Sequence, residues 1–352
     1  MSLLRNVKKI HLRYCSNCET LPSLGPSVTS ELIDNWNEIF EIYWRHLKGF
    51  PSLQVLRLER MPSLEKWEFP SDASFPLCLN GCPKLETLSI FMPTSCCFRK
   101  LNSLQIGDVS FPMQFLRNLT ALQTLGIHNN KESILSDEIE NLTVLKSLKI
   151  IECEKLISLP EEGLQKLTSL NLNSFRIFRC NSIKSLPAMG KMIQQGMMMK
   201  SSCCSLVSLE IDYCSSLTSV SEGLEYLTSL EQLEIRYCDE LQLKREDFQH
   251  LNYVRNLTEL QSLRIQQCDE LELKKEDFHH LTSLRHLNLS YLPKLTSIPD
   301  VQNLTSIQSL SVTACHRDLH KRLKRDKGVD WPNISHIPEI KINDSEETMF
   351  DW

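Results

Sequence analysis

One phrase recurs along the 352 residues and governs what the chain can fold into: L-x-x-L-x-[IL]-x-x-C-x-x-L. Its clearest copies begin at Leu145 (LKSLKIIECEKL), Leu206 (LVSLEIDYCSSL), Leu230 (LEQLEIRYCDEL) and Leu260 (LQSLRIQQCDEL). Looser copies begin at Val7, Leu53, Leu85, Leu101, Leu122, Leu172, Leu284 and Ile307, making about twelve units. The second anchors fall at Ile10, Leu56, Leu88, Leu104, Leu125, Leu148, Phe175, Leu209, Leu233, Leu263, Leu287 and Leu310. Most intervals run from 21 to 34 residues, with outliers of 46 after Ile10 and 16 after Leu88. The gap from Leu24 to Phe50 is expected to hide a degenerate unit. The register is weakest at residues 22–50 and 88–104.

An L-x-L core places two leucines on one face of a short strand, because strand side chains alternate. A single strand of this kind cannot bury that face. Stacked at about 4.8 Å, such strands form a parallel sheet whose leucines make a continuous core. The second half of many units reads L-x-S-L-P, as at Leu156–Pro160 and Ile183–Pro187, and proline there ends extension and begins the return. The fold expected is α/β: a leucine-rich-repeat solenoid, or horseshoe, with a parallel β-sheet on the concave face and an irregular, short-helix convex side. Residues 1–315 are read as the array and 316–352 as a C-terminal capping segment. In that segment Ile334, Ile337, Ile340 and Ile342 alternate toward a final strand. Cys238–Leu251 and Cys268–Leu281 match at 11 of 14 positions, 30 residues apart, as a tandem duplication would leave them.

Composition narrows the chemistry. Leucine fills 57 positions and glycine only 10, and no two glycines stand two or five apart. The dinucleotide fingerprint and the phosphate loop both require such pairs. A net charge of −5 gives no electrostatic footprint for nucleic acid. No window approaches the apolar length of a membrane span, and Met1–Ile10 lacks the apolar run of a signal peptide, so the chain is expected to be cytoplasmic, with the nucleus also open to it. His316-Arg317-Asp318-Leu319 copies the start of a kinase catalytic loop, but Leu323 stands where its Asn is required. No catalytic constellation rises above background, and the chain is read as not an enzyme.

Fourteen cysteines in such a chain point to reduced thiols. Seven of them (Cys15, Cys153, Cys180, Cys214, Cys238, Cys268 and Cys315) share one repeat position. A buried column of small hydrophobes with weak S–H donors accounts for that better than zinc, which needs four converging ligands. No metal ligand is assigned.

Function then falls to the strand positions between and after the leucines, which the stack presents on one extended surface. In the best-ordered stretch these include Arg176, Phe178, Arg179, Asp212, Tyr213, Arg236, Tyr237, Arg264 and Tyr291. Tyr and Arg are favoured anchors in protein interfaces. Tyr213 and Tyr237 are expected to stack in one column flanked by Arg179 and Arg236. Among other segments, Ala188–Cys204 holds half of the methionines and reads as a flexible convex insertion, whereas the aromatics of Ser30–Phe50 read as core.

The phrase L-x-x-L-x-I-x-x-C-x-x-L-x-S-L-P resembles the leucine-rich-repeat region of plant intracellular immune receptors, the coiled-coil class with a central nucleotide-binding module. The segment Cys315–Ile342 (CHRDLHKRLKRDKGVDWPNISHIPEIKI) is similar to that family's terminal segment, as are Phe50–Met61 and Leu64–Trp67 to its internal phrases. The resemblance implies a recognition module that senses a pathogen effector or a guarded host protein and restrains a nucleotide switch. The nucleotide-binding module of the parent receptor would be its second partner. No cofactor is expected in this chain, ADP or ATP belonging to an upstream module. The alternative is the substrate-recognition part of an F-box-type ubiquitin ligase receptor, whose repeats continue past cysteine with I-T-D rather than L-x-S-L-P.

Overall fold

The structure is a computed structural model with side chains. It describes residues 9–14, 20–21, 33–34, 55–64, 66–67, 77–82, 84, 101–108, 116–117, 119–135, 137–189, 192–194, 197–199, 204–224, 226–242, 257–273, 275 and 277–343. The chain divides into two compact units, Met1–Cys153 and Glu154–Trp352.

The first unit contains β1 (Lys9–Arg13), β2 (Thr20–Leu21), β3 (Ile33–Asp34), β4 (Val55–Glu59), β5 (Lys66–Trp67), β6 (Leu77–Asn80), β7 (Ser103–Gly107), β8 (Thr124–His128) and β9 (Ser147–Ile151). Its parallel ladder runs β3-β1-β4-β6-β7-β8-β9, while β2 pairs with β5 alone. One expectation of register changes here. The strand between β4 and β7 is β6, with Leu77 opposite Leu56 on one side and Leu104 on the other, so no slot remains for a strand at Leu88. Leu85 and Leu88 themselves lie outside the described residues. In the long gap from Leu24 to Phe50 the short β3 pairs parallel with the edge of β1 opposite β4, Ile33 against Leu12, and the rest of that gap lies outside the described residues. The aromatics of Ser30–Phe50 also lie outside the described residues.

The second unit contains β10 (Ser174–Phe178), β11 (Met192–Gln194), β12 (Met197–Met199), β13 (Ser208–Asp212), β14 (Gln232–Arg236), β15 (Ser262–Gln266), β16 (His286–Ser290), β17 (Ser309–Thr313) and β18 (Glu339–Asn343). Its ladder runs β10-β13-β14-β15-β16-β17-β18, all parallel and without slippage: Phe175, Leu209, Leu233, Leu263, Leu287, Leu310 and Ile340 fall in register. Within the methionine-rich segment β11 and β12 form a separate antiparallel pair, Met192 opposite Met199 and Gln194 opposite Met197.

This is the leucine-rich-repeat fold, and the strands show why the sequence adopts it. In β10 and β13 the anchors Phe175, Ile177, Leu209 and Ile211 are buried while the residues between them face outward. The proline expected to open the return does so at Pro160, directly before a ten-residue helix, Glu161–Leu170. Glu161 and Glu162 lie in its first turn, favourable to the helix dipole, and Leu164 and Leu167 close the core beneath it. In the terminal segment His316 caps the helix Arg317–Arg322 by accepting from the Asp318 amide at 3.1 Å. The His-Arg-Asp word is therefore a helix start.

Twelve ladder strands are followed by a residue in the left-handed region: Tyr14, Arg60, Gly81, Asp108, Asn129 and Glu152 in the first unit, then Arg179, Tyr213, Tyr237, Gln267, Tyr291 and Ala314. For a non-glycine residue this costs about 1–2 kcal/mol. The offset is one more ladder bond: Tyr213 N–H donates to the Arg236 carbonyl and Tyr237 N–H to the Gln266 carbonyl, each at 2.9 Å. In eight of the twelve the next residue is cysteine, with Met61, Val109, Asn130 and Leu292 in that place in the others. Cys153, Cys180, Cys214, Cys238 and Cys268 are buried, and their thiols reach back to the last carbonyl of the strand at 3.4–3.6 Å. Burial pushes the Cys214 and Cys315 thiols up to about 11 and Cys268 to about 12, so these cysteines stay protonated as donors. Cys15 lies outside the described residues.

Candidate recognition surface

The outward side of β10, β13 and β14 is organised around one carboxylate. Asp212 ends β13, and its side chain is only 2% exposed. Arg236 donates to it from Nε at 2.6 Å and from Nη2 at 2.9 Å, and Arg176 adds Nη2 at 3.2 Å. The two-point fork fixes the plane of Arg236. The hydrogen bond to Asp212 is also the main reason the Arg236 guanidinium is held above its ordinary range. Glu210 lies 3.3 Å from Arg176 Nε and Glu234 lies 3.5 Å from Arg236 Nη2. Charges on this face are thus matched among themselves.

Beside that network runs an aromatic line, in which Phe178 is the last residue of β10 and Tyr213 and Tyr237 stand at the left-handed turns after β13 and β14. Phe178 meets Tyr213 edge to face, with centroids 5.5 Å apart at 71°. Tyr213 and Tyr237 stack at 4.2 Å and 7°. Arg179 lies over Phe178 at 5.1 Å and over Tyr213 at 5.6 Å, and Arg176 covers Phe178 at 5.4 Å. Gln266 Nε2 donates to the Tyr237 hydroxyl at 3.2 Å. Burial, then the hydrogen bond with Tyr213, raises the Tyr237 phenol, which stays protonated at neutral pH.

Of the residues singled out from sequence, Arg176, Phe178, Arg179, Tyr213, Arg236 and Tyr237 therefore form one cluster. Arg264 extends it by one strand, with Nη2 3.3 Å from Gln266 Oε1. Asp212 belongs to it as a buried support and offers no surface to a partner. Tyr291 shares the left-handed backbone but follows β16, with Gln267 occupying the intervening turn; among the described residues no ring contact joins it to Tyr237. Glu210, Glu234 and Gln266 complete the support. Their alternation with buried leucines put them on this face, but only the folded register shows which arginine each one holds.

The first unit carries different chemistry on the same scaffold. Arg60 Nη1 donates to the Tyr14 hydroxyl at 2.5 Å, and its guanidinium sits 5.1 Å from that ring. Farther along, the Asn129 amide donates to Asp108, and His128 lies against two glycines of the strand face. A Cβ on Gly107 would stand 2.7 Å from His128 Cβ and 2.8 Å from Asn80 Oδ1. Burial lowers the His128 imidazole below its ordinary range, and Lys149 lowers it further. Among the described residues no helix is long and apolar enough to cross a membrane.

No family model matches the chain. Among solved structures, an internalin from Listeria monocytogenes aligns at 16% identity and a TM-score of 0.40, covering 83% of this chain and 82% of that one. The leucine-rich-repeat domain of the type III effector XopL aligns at 21% and 0.43, covering 75% of each. At such values the fold rests on the ladder itself. Among curated proteins, one named as disease resistance protein RGA1 of Solanum bulbocastanum is 28% identical over 192 residues, which are 53% of this chain and 17% of that protein. A disease resistance RPP13-like protein 1 of Arabidopsis thaliana is 27% identical over 210 residues, 53% of this chain and 19% of that protein. The alignments thus span less than a fifth of these relatives' length. Over about half of its own length, this leucine-rich-repeat chain is similar to plant disease resistance proteins.

Proposed function

We propose that the chain is the protein-recognition module of a plant intracellular immune receptor, and that it works by binding rather than by catalysis. Its partner on this reading is a pathogen effector or a guarded host protein, and its second task is to restrain the nucleotide switch of the receptor to which it belongs. The array 1–315 supplies the recognition surface and 316–352 closes its end. The observation that carries the reading is the Arg179–Phe178–Tyr213–Tyr237 line. Three aromatic rings and an arginine are held rigid at the mouth of successive repeats by a charge network that leaves few polar groups to be stripped of water. Rigid aromatic and arginine side chains give much contact area for little ordering entropy, as interface hot spots do.

A binary interaction screen of the chain against pathogen effectors and plant proteins tests this. The expected result is a binder whose affinity falls by at least about tenfold in the Y213A/Y237A variant, which corresponds to roughly 1.4 kcal/mol. Thermal unfolding of that variant should stay close to wild type. A binder indifferent to the pair would overturn the surface, and the absence of any protein binder would overturn recognition itself.

A further inference from the structure

The last turn of the second unit leaves its apolar end incompletely covered. In β17, Leu310 and Val312 are fully buried, but their ladder partners in β18, Ile340 and Ile342, are only half-buried. These two isoleucines line an open cavity of about 720 Å³, together with Trp331 and the exposed cations Lys321, Lys324 and Arg325. That volume lies within the range of roughly 300–1,000 Å³ typical of sites that take up a ligand. The surrounding segment is strongly basic: six cations face three carboxylates between Arg317 and Asp330. All three carboxylates are engaged locally, Asp330 by Arg322 at 2.6 Å, Asp318 by Lys321 at 2.8 Å and Asp326 by Arg325 at 3.8 Å, which leaves the segment a net excess of three cations.

The chain continues past the last described residue, Asn343, with Asp344-Ser345-Glu346-Glu347-Thr348-Met349-Phe350-Asp351-Trp352. This segment has four carboxylates, no lysine or arginine, and three large apolar side chains. It begins beside Ile342, at the cavity wall, and nine extended residues reach about 30 Å. We propose that Asp344–Trp352 docks into this cavity in cis, its carboxylates against Lys321, Lys324 and Arg325 and an aromatic side chain against Trp331, covering Ile340 and Ile342. Charge complementarity selects this occupant, and attachment one residue from the cavity gives it an effective concentration in the millimolar range, which lets a modest intrinsic affinity suffice. The proposal is independent of the recognition surface on β10, β13 and β14.

The test uses a fluorescent peptide of residues 344–352 and two forms of the protein, the whole chain and one ending at Asn343. The shortened chain is expected to bind the peptide, with affinity that weakens as salt rises. The whole chain should bind it at least about tenfold more weakly, because its own segment competes. Charge reversal at K321E/K324E/R325E, all at exposed positions, should abolish capture by the shortened chain. The same reversal in the whole chain should make Glu346 and Glu347 at least about tenfold faster substrates for a glutamate-specific protease, a readout that needs no truncation. Equal peptide binding by both forms, no binding by the shortened chain, or unchanged proteolysis would overturn the proposal. Equal binding of a scrambled peptide would assign the cavity to acidic segments at large and would also remove this segment as its particular occupant.

Discussion

After β8 the chain turns through Asn129 at φ 45°, and after β13 it turns through Tyr213 at φ 53°. Both backbones hand one N–H to the next strand, to Ile151 in the first case and Arg236 in the second. The side chains then diverge. In the first unit the turn residues Asp108, Asn129 and Glu152 are polar, and the neighbouring strands supply Gly107 and Gly126 beneath His128. In the second, Arg179, Tyr213 and Tyr237 make a continuous line, and the strands supply Arg176, Asp212 and Arg236 to brace it. The repeat backbone therefore decides where a surface residue stands, while the charged residues of the strands beside it decide how it is braced. Among the described residues the second unit braces a line of three rings, Phe178, Tyr213 and Tyr237, whereas the first unit holds the single ring of Tyr14 through Arg60, which is why the recognition surface is proposed in the second.

The largest test of that difference removes the brace. In D212A two guanidiniums face each other over the space of a buried carboxylate. Stripping one partner from a fully buried pair costs about 3–5 kcal/mol. Arg236 and Arg176 keep 25% and 35% of their side-chain surface, so water relieves part of that, and a loss of about 2–3 kcal/mol is expected. The matched change in the first unit, D108A, removes a side chain that is 39% exposed and should cost under about 1 kcal/mol. Urea unfolding of both variants measures the contrast, and equal losses would remove the distinction between a braced and an unbraced rim.

Much of this was legible in the sequence, and the misses have physical causes. Period-two leucines located β10 and β13 through β17 because burial leaves no second register. The strand at Leu77 was missed because Ser74 stands where the leading leucine belongs, so the phrase at Leu85 matched better. The cysteine spacing would have found it: Cys82 follows Leu77 by five residues, as Cys153 follows Leu148 and Cys214 follows Leu209. The stack of Tyr213 on Tyr237 followed from their shared column. The burial of Asp212 did not, since alternation places it outward, and only two arginines arriving from flanking strands enclose it. The left-handed turns gave no signal either, because residues such as Tyr, Arg and Glu occupy positions where glycine or asparagine would mark a positive φ.

The glycines of the first unit give a second, smaller test. In G107A the added methyl meets His128 Cβ and the Asn80 side chain below 3.0 Å, and a loss of about 1–3 kcal/mol is expected from overpacking. At Gly126 the nearest atoms, His128 Nε2 at 3.1 Å and Gln105 Cγ at 3.2 Å, sit on the outer parts of side chains that can move, so G126A should be nearly neutral. Thermal melts that rank the two the other way would show that His128 does not rest on Gly107. In the second unit, a double-mutant cycle on Y213A and Y237A should return a coupling of roughly 0.5–1.5 kcal/mol for the stacked rings. A coupling near zero would mean that the line is not held together in solution and would weaken its claim to be a pre-formed anchor.

The smallest effect separates the units by pH. His128 is held below its ordinary value of 6.5, first by burial and then by Lys149, against the opposing pull of Glu152 and Asp108. A folded histidine that resists protonation makes the unfolded chain the better proton binder once the pH drops below about 6.5. Stability linked to this group is therefore intact above that value and declines as the pH falls toward the depressed folded value. Replacing His128 with Gln should flatten that part of the profile, while Y213A/Y237A in the second unit should leave it unchanged. Urea midpoints collected between about pH 8 and pH 5 decide it. Parallel profiles for wild type and H128Q would mean that the imidazole is solvated, and the first unit's face would then be as open at His128 as the second unit's is at Tyr213.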